Sequence, residues 1–118
     1  MKPIVVVVSL IVAVCLVLTI SIFPVGAEER SGKDLFQILC EACHPDGGNK
    51  YFPEYTLHRK DLEENGFGTP ETIVKKMRNP GELSPHVNKL SVMKKFDEKA
   101  LSDKDAYKIA EYILNTFR

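Results

Sequence analysis

Three cysteines in 118 residues are too few for a disulfide-stapled scaffold. Cys15 lies inside an uncharged N-terminal run, which leaves Cys40 and Cys43 as the only thiols beyond it. A structural zinc site asks for four ligands, and no second cysteine pair is available to complete one. A Cys40–Cys43 disulfide would close a loop too short to stabilise a domain much. Charge of one sign is also missing: 16 Lys+Arg balance 16 Asp+Glu, for a formal net charge of +0. Lys2 is the only charged residue before Glu28, so residues 28–118 carry 15 basic and 16 acidic residues, a formal −1. Without a basic face a nucleic-acid partner is not expected. The chain has no internal repeat, nucleophile elbow, phosphate loop or carboxylate pair with a base, so it is not expected to be an enzyme.

The first 27 residues read as a targeting segment. Lys2 gives a short positive start. Ile4 to Phe23 is a run of 20 uncharged residues, interrupted only by Ser9, Thr19 and Ser21 among polar types. Val25-Gly26-Ala27 supplies small residues for cleavage, which would leave a mature chain starting at Glu28. The run is also long enough to span a bilayer as a helix, so residues 4–23 form either a cleaved signal peptide or an N-terminal anchor. Both place residues 28–118 outside the cytoplasmic membrane, in the periplasm, as one small domain. A core of that size benefits from a cofactor as its apolar centre.

Helical periodicity and caps organise that domain. Ser31 caps a helix running to Cys40, with Leu35 and Leu39 on one stripe and Phe36 beside it. Pro45-Asp46-Gly47-Gly48-Asn49 is a loop. A short helix is expected from Leu57 to Glu64, stopping at Asn65-Gly66. Thr69-Pro70 starts a third helix, whose stripe is Ile73, Val74 and Met77 and which Asn79-Pro80-Gly81 ends. Gly81 to Val92 reads as loop. Ser102 caps the last helix, where Ala106, Ile109, Ala110, Ile113 and Phe117 recur on one face. Helices joined by loops predict an all-α domain.

Cys40-Glu41-Ala42-Cys43-His44 is the C-x-x-C-H pattern of covalent haem attachment. Two thiols three apart on a helical turn reach the two vinyl groups of one haem and form thioethers. The next residue, His44, then falls beneath the iron as an axial ligand. A dithiol redox pair would share the C-x-x-C but expects a βαβ context, which the helical pattern does not provide. The expected cofactor is one covalent haem c.

The sequence resembles the class I monohaem c-type cytochromes, the small soluble kind of bacterial respiration and photosynthesis. Gly32-x-x-x-Phe36-x-x-x-Cys40-x-x-Cys43-His44 matches their first helix. Gly47-Gly48-Asn49, Pro53 and Thr56-Leu57 match the loop beneath the haem, and Met93-x-x-Phe96 the methionine region. Leu101-Ser102-Asp103 leading to Ile109-Ala110-Glu111-Tyr112-Ile113 matches the last helix. The resemblance implies a small cytochrome c-like helical domain wrapped around its haem. It implies that the first and last helices cross closely at Gly32, with Phe36 and Tyr112 packed there. It also implies that a loop proline, here Pro53, accepts a hydrogen bond from the second nitrogen of the axial histidine.

For the other axial position the sequence offers Met77, Met93, His58 and His86. Met77 belongs to a helical apolar stripe, where methionine is a good packing residue. His58 and His86 have no motif around them. Met93 lies in a loop, where the resembled family has its methionine, although Lys94 stands where that family usually has proline. Met93 is therefore the expected second iron ligand. Six ligands leave no vacant position, so the expected function is one-electron transfer between redox protein partners by a monomer. The alternatives are a gas-binding or sensory haem protein with an open sixth site, or a membrane-tethered haem subunit of a respiratory complex. Lys75, Lys76, Arg78, Lys89, Lys94, Lys95 and Lys99 give the methionine side a basic bias, diluted by Asp97 and Glu98.

Overall fold

Ser31 opens the first helix, α1 (Gly32–Leu39), with a reciprocal cap. Its hydroxyl accepts from the Asp34 N–H at 3.2 Å, and the Asp34 carboxylate accepts from the Ser31 N–H at 3.2 Å. Two N–H groups that the helix itself cannot satisfy are thereby paired. The computed structural model describes residues 2–8, 11, 26, 28–81 and 93–118. Cys40 is the C-cap of α1, and a short 3-10 turn follows at Pro45–Gly47.

The second helix, α2 (Arg59–Glu64), begins two residues later than periodicity predicts. The Leu57 N–H is taken by the Gly47 carbonyl at 2.6 Å, which ties residue 57 to the haem-motif loop instead. His58 becomes the N-cap with extended backbone. The helix ends at Asn65, as expected, and Gly66 takes φ +82, a left-handed conformation that glycine tolerates. The third helix, α3 (Pro70–Arg78), has Thr69 as its cap and buries Ile73, Val74 and Met77, the predicted stripe. The fourth, α4 (Asp103–Thr116), is capped by Ser102 and buries Ala106, Ile109, Ala110, Ile113 and Leu114. Among the described residues there is no strand, so the all-α expectation holds.

α4 is the central element, packed against both α1 and α3. Its Ala106, Ile109 and Ala110 are fully buried, and burying an isoleucine side chain contributes about 1.5–3 kcal/mol. Gly32 makes the α1–α4 crossing possible. A Cβ there would stand 2.8 Å from the Lys108 carbonyl carbon and closer still to its oxygen. Phe36 packs beside the crossing, its ring centroid 5.4 Å from those of both Tyr112 and Phe117. The crossing and its aromatic pair are as the resemblance implied.

Residues 2–8 are helical and exposed. Most of the 4–23 run, with Cys15, lies outside the described residues, as do residues 82–92 with His86 and Lys89. Among the described residues no helix is long and apolar enough to cross a membrane.

Candidate haem site

The motif residues are gathered by one turn at the end of α1. The Cys40 carbonyl accepts from the Cys43 N–H at 3.1 Å and from the His44 N–H at 2.9 Å. These bonds continue helical spacing past the cap, so residues 40, 43 and 44 stand along one edge of a single cavity. Neither Cys40 nor Cys43 forms a disulfide, so both sulfurs are available at the cavity edge. Burial, with Cys43 adding to it, pushes the Cys40 thiol up to about 11.

His44 is oriented through its ring nitrogen Nδ1, which lies 2.8 Å from the Gly48 carbonyl oxygen. A carbonyl can only accept, so Nδ1 carries the proton and Nε2 keeps the lone pair a metal needs. Burial lowers the His44 pKa and favours this neutral form, against the opposing effect of the Gly48 hydrogen bond. The acceptor is therefore Gly48 and not Pro53, which is a correction to the expectation. The physical reason is proximity: the left-handed Asp46 and Gly47 fold the chain back so that the carbonyl four residues on reaches the ring. Gly47 has a second constraint, since a Cβ there would stand 2.5 Å from the Phe117 ring.

The cavity has a volume of about 370 Å³. Leu39, Leu57, Leu62, Phe67, Ile73 and Ile113 form much of its apolar wall, with Tyr51, Phe52 and Tyr55 toward the loop. Asn49 shapes that loop by accepting from the Tyr51 and Phe52 N–H groups at 3.1 and 3.0 Å. Met77 and Met93 both face the cavity, Met77 buried and Met93 half-buried. His58 does not. Its ring is exposed and packs edge-on against Phe117, 6.1 Å between centroids, so a site pairing it with His44 is not formed. An apolar slot edged by two free thiols, a neutral imidazole and a thioether fits a c-type haem.

Two contributions were not legible in the sequence. Arg78, counted there as surface charge, turns inward with its side chain 16% exposed. Its guanidinium donates to the Phe96 carbonyl at 2.8 Å, the Leu101 carbonyl at 2.9 Å and the Asp103 carboxylate at 2.6 Å. The Phe96 N–H donates to the Met77 carbonyl at 3.0 Å. Together these bonds dock the Met93–Phe96 segment onto α3. Thr56 is the other, its hydroxyl donating to the Asp61 carboxylate at the cavity wall. Neither pairing follows from spacing, because each depends on how separate elements meet.

Comparison with known proteins shows the family to which the chain belongs. The family described as cytochrome c oxidase, cbb3-type, subunit III matches residues 27–113. The chain belongs to this family, among the class I monohaem c-type cytochromes. It is similar to cytochrome c6 of Cyanidium caldarium, 29% identical over 114 residues that cover 97% of this chain and 93% of that one. It is also similar to the solved outer membrane cytochrome OmcF of Geobacter sulfurreducens. That likeness has 38% identity and a TM-score of 0.64, covering 75% of this chain and 100% of that one. The solved cytochrome c6 of the diatom Phaeodactylum tricornutum is 28% identical, with a TM-score of 0.58 over 71% of this chain and 87% of that one. The chain is a monohaem electron-transfer cytochrome with one covalently bound c-type haem.

Proposed function

We propose that this cytochrome carries one electron at a time between two redox proteins outside the cytoplasmic membrane. In this reading Cys40 and Cys43 would hold the haem through thioethers, and His44 and Met93 would ligate its iron. The observation that carries it is the convergence of Cys40, Cys43, His44 and Met93 on one apolar cavity. Bound there, the haem supplies a one-electron ferric–ferrous couple, and His/Met ligation favours the ferrous side relative to two nitrogens. Gly48 holds the His44 ring in the tautomer that leaves Nε2 unprotonated. Arg78 and the Met77 carbonyl hold the segment that bears Met93. The apolar wall excludes water and so resists the added positive charge of the oxidised state.

Residues 1–27 are read as a cleaved signal peptide, which frees residues 28–118 in the periplasm; a retained anchor would tether the same domain. The start of the domain is already clamped. Lys108 Nζ donates to the Glu29 carboxylate at 2.7 Å and the Arg30 carbonyl at 3.1 Å, and Lys104 also pairs with Glu29. An anchored form would thus have almost no free leash between residue 27 and the domain.

One purified sample tests the reading. Intact mass should show the chain beginning at Glu28 with one haem added, and a redox titration followed by visible absorption should show a single one-electron step. The oxidised protein should carry the weak near-infrared sulfur-to-iron absorption, and Met93→Ala should abolish it. A haem-free mass, or a band that survives in Met93→Ala, refutes the corresponding assignment. Rapid, tight carbon monoxide binding to the reduced wild type would favour the open-site sensor.

A further inference from the structure

Lys75 and Lys76 are neighbours on α3 with opposite fates. Lys75 is exposed, whereas Lys76 is half-buried and lines the haem cavity. The Lys76 ammonium donates to the carbonyl of buried Pro80 at 2.7 Å. It stands 5.7 Å from the centroid of the Phe67 ring, which also lines the cavity. Both contacts suit the charged form, and the aromatic face attracts a cation more strongly than a neutral amine. Among the described residues no carboxylate pairs with it: the ion pairs involve Arg59, Lys60, Arg78, Lys104 and Lys108. Burial lowers its pKa, as expected for an ammonium partly withdrawn from water without a carboxylate paired to it.

An uncompensated cation beside an apolar cavity has a direct consequence for the couple formed there. The oxidised site carries one more positive charge than the reduced site. In a poorly screened environment a nearby ammonium therefore disfavours oxidation. Two other charged side chains line the cavity. Asp61 acts in the opposite sense, with its carboxylate accepting a hydrogen bond from the Thr56 hydroxyl. Lys94 acts in the same sense but is exposed to solvent, its ammonium 5.6 Å from the centroid of the Phe96 ring. We propose that Lys76 is a potential-setting residue of this cytochrome, a fixed positive charge in the cavity wall that shifts the haem toward its reduced state. This rests on the electron-carrier reading above.

The test compares reduction potentials of haem-loaded wild type, Lys76→Gln, Lys76→Arg and Lys75→Gln at one ionic strength. Lys76→Gln should shift the ferric-to-ferrous ratio at fixed applied potential toward ferric by about three- to tenfold. Tenfold corresponds to about 59 mV for one electron. Lys76→Arg keeps the charge and should stay within about twofold of wild type, and so should Lys75→Gln, whose side chain is exposed to solvent. Lys76→Met provides a second neutral variant if Lys76→Gln does not mature, with the same expected shift. The proposal is overturned if the neutral variants stay within about twofold of wild type. It is equally overturned if Lys76→Arg shifts as far as they do, because shape and not charge would then be responsible. Failure of the carrier reading looks different: the wild type itself would show no one-electron step.

Discussion

On the histidine side of the cavity, residues 40–44 share one helical turn and His44 is aimed by a carbonyl only four residues away. On the methionine side, Met93 follows a long connection, and its segment is docked by bonds from Arg78 and Met77 that span 18 or more residues. The first side is built from local bonds and the second from contacts that exist only after α3 and α4 have packed. A local turn survives modest disturbance of the core, because its closure entropy is small. The methionine side depends on a few long-range bonds and should be the first to yield.

The strongest way to break that asymmetry is Arg78→Ala. It strands the Phe96 and Leu101 carbonyls and removes the Asp103 pair. The expected cost is about 2–4 kcal/mol in denaturant unfolding of the haem-loaded protein, since losing the donor to a buried acceptor costs about 1–3 kcal/mol. The near-infrared sulfur-to-iron band should weaken while covalent haem retention stays intact. Equal loss of attachment on both sides would remove the asymmetry.

Gly32→Ala disturbs the opposite end, at the α1–α4 crossing. A methyl there meets the Lys108 carbonyl and the Tyr112 Cβ. The clash forces the helices apart at about 1–3 kcal/mol, offset partly by the better helix propensity of alanine, up to about 1 kcal/mol. Thermal unfolding should fall accordingly, with the near-infrared band unchanged in the folded protein. A band lost in Gly32→Ala but kept in Arg78→Ala would reverse the comparison.

The smallest effect is expected at the clamp on residue 29. Hydrogen bonds from Lys104 and Lys108 lower the Glu29 carboxyl to about 2, from an ordinary value of 4.5. A carboxyl depressed in the folded state stabilises fully above its unfolded pKa, and that contribution is lost as pH falls through the folded one. Wild type should therefore lose a small increment of thermal stability between about pH 4.5 and pH 2 that Glu29→Gln does not show. Salt should shrink it as well, because the group is fully exposed. Identical acid profiles for the two proteins would mean that the clamp contributes nothing.

By itself the sequence determined whatever depends on neighbours along the chain. The caps Ser31, Thr69 and Ser102, the stripes of α3 and α4, and the grouping of Cys40, Cys43 and His44 all follow from turn geometry and a period of 3.6 residues. The resemblance added the Gly32 crossing, which needs a partner helix to have meaning. Tertiary structure decided the rest. It chose Gly48 over Pro53 as the acceptor for His44, took Leu57 out of α2, and moved His58 away from the cavity. It also turned Arg78 and Lys76 inward, although in the sequence both read as members of a basic surface. A cation's role depends on which carbonyls, rings and carboxylates surround it, and those neighbours come from distant parts of the chain that only packing brings together.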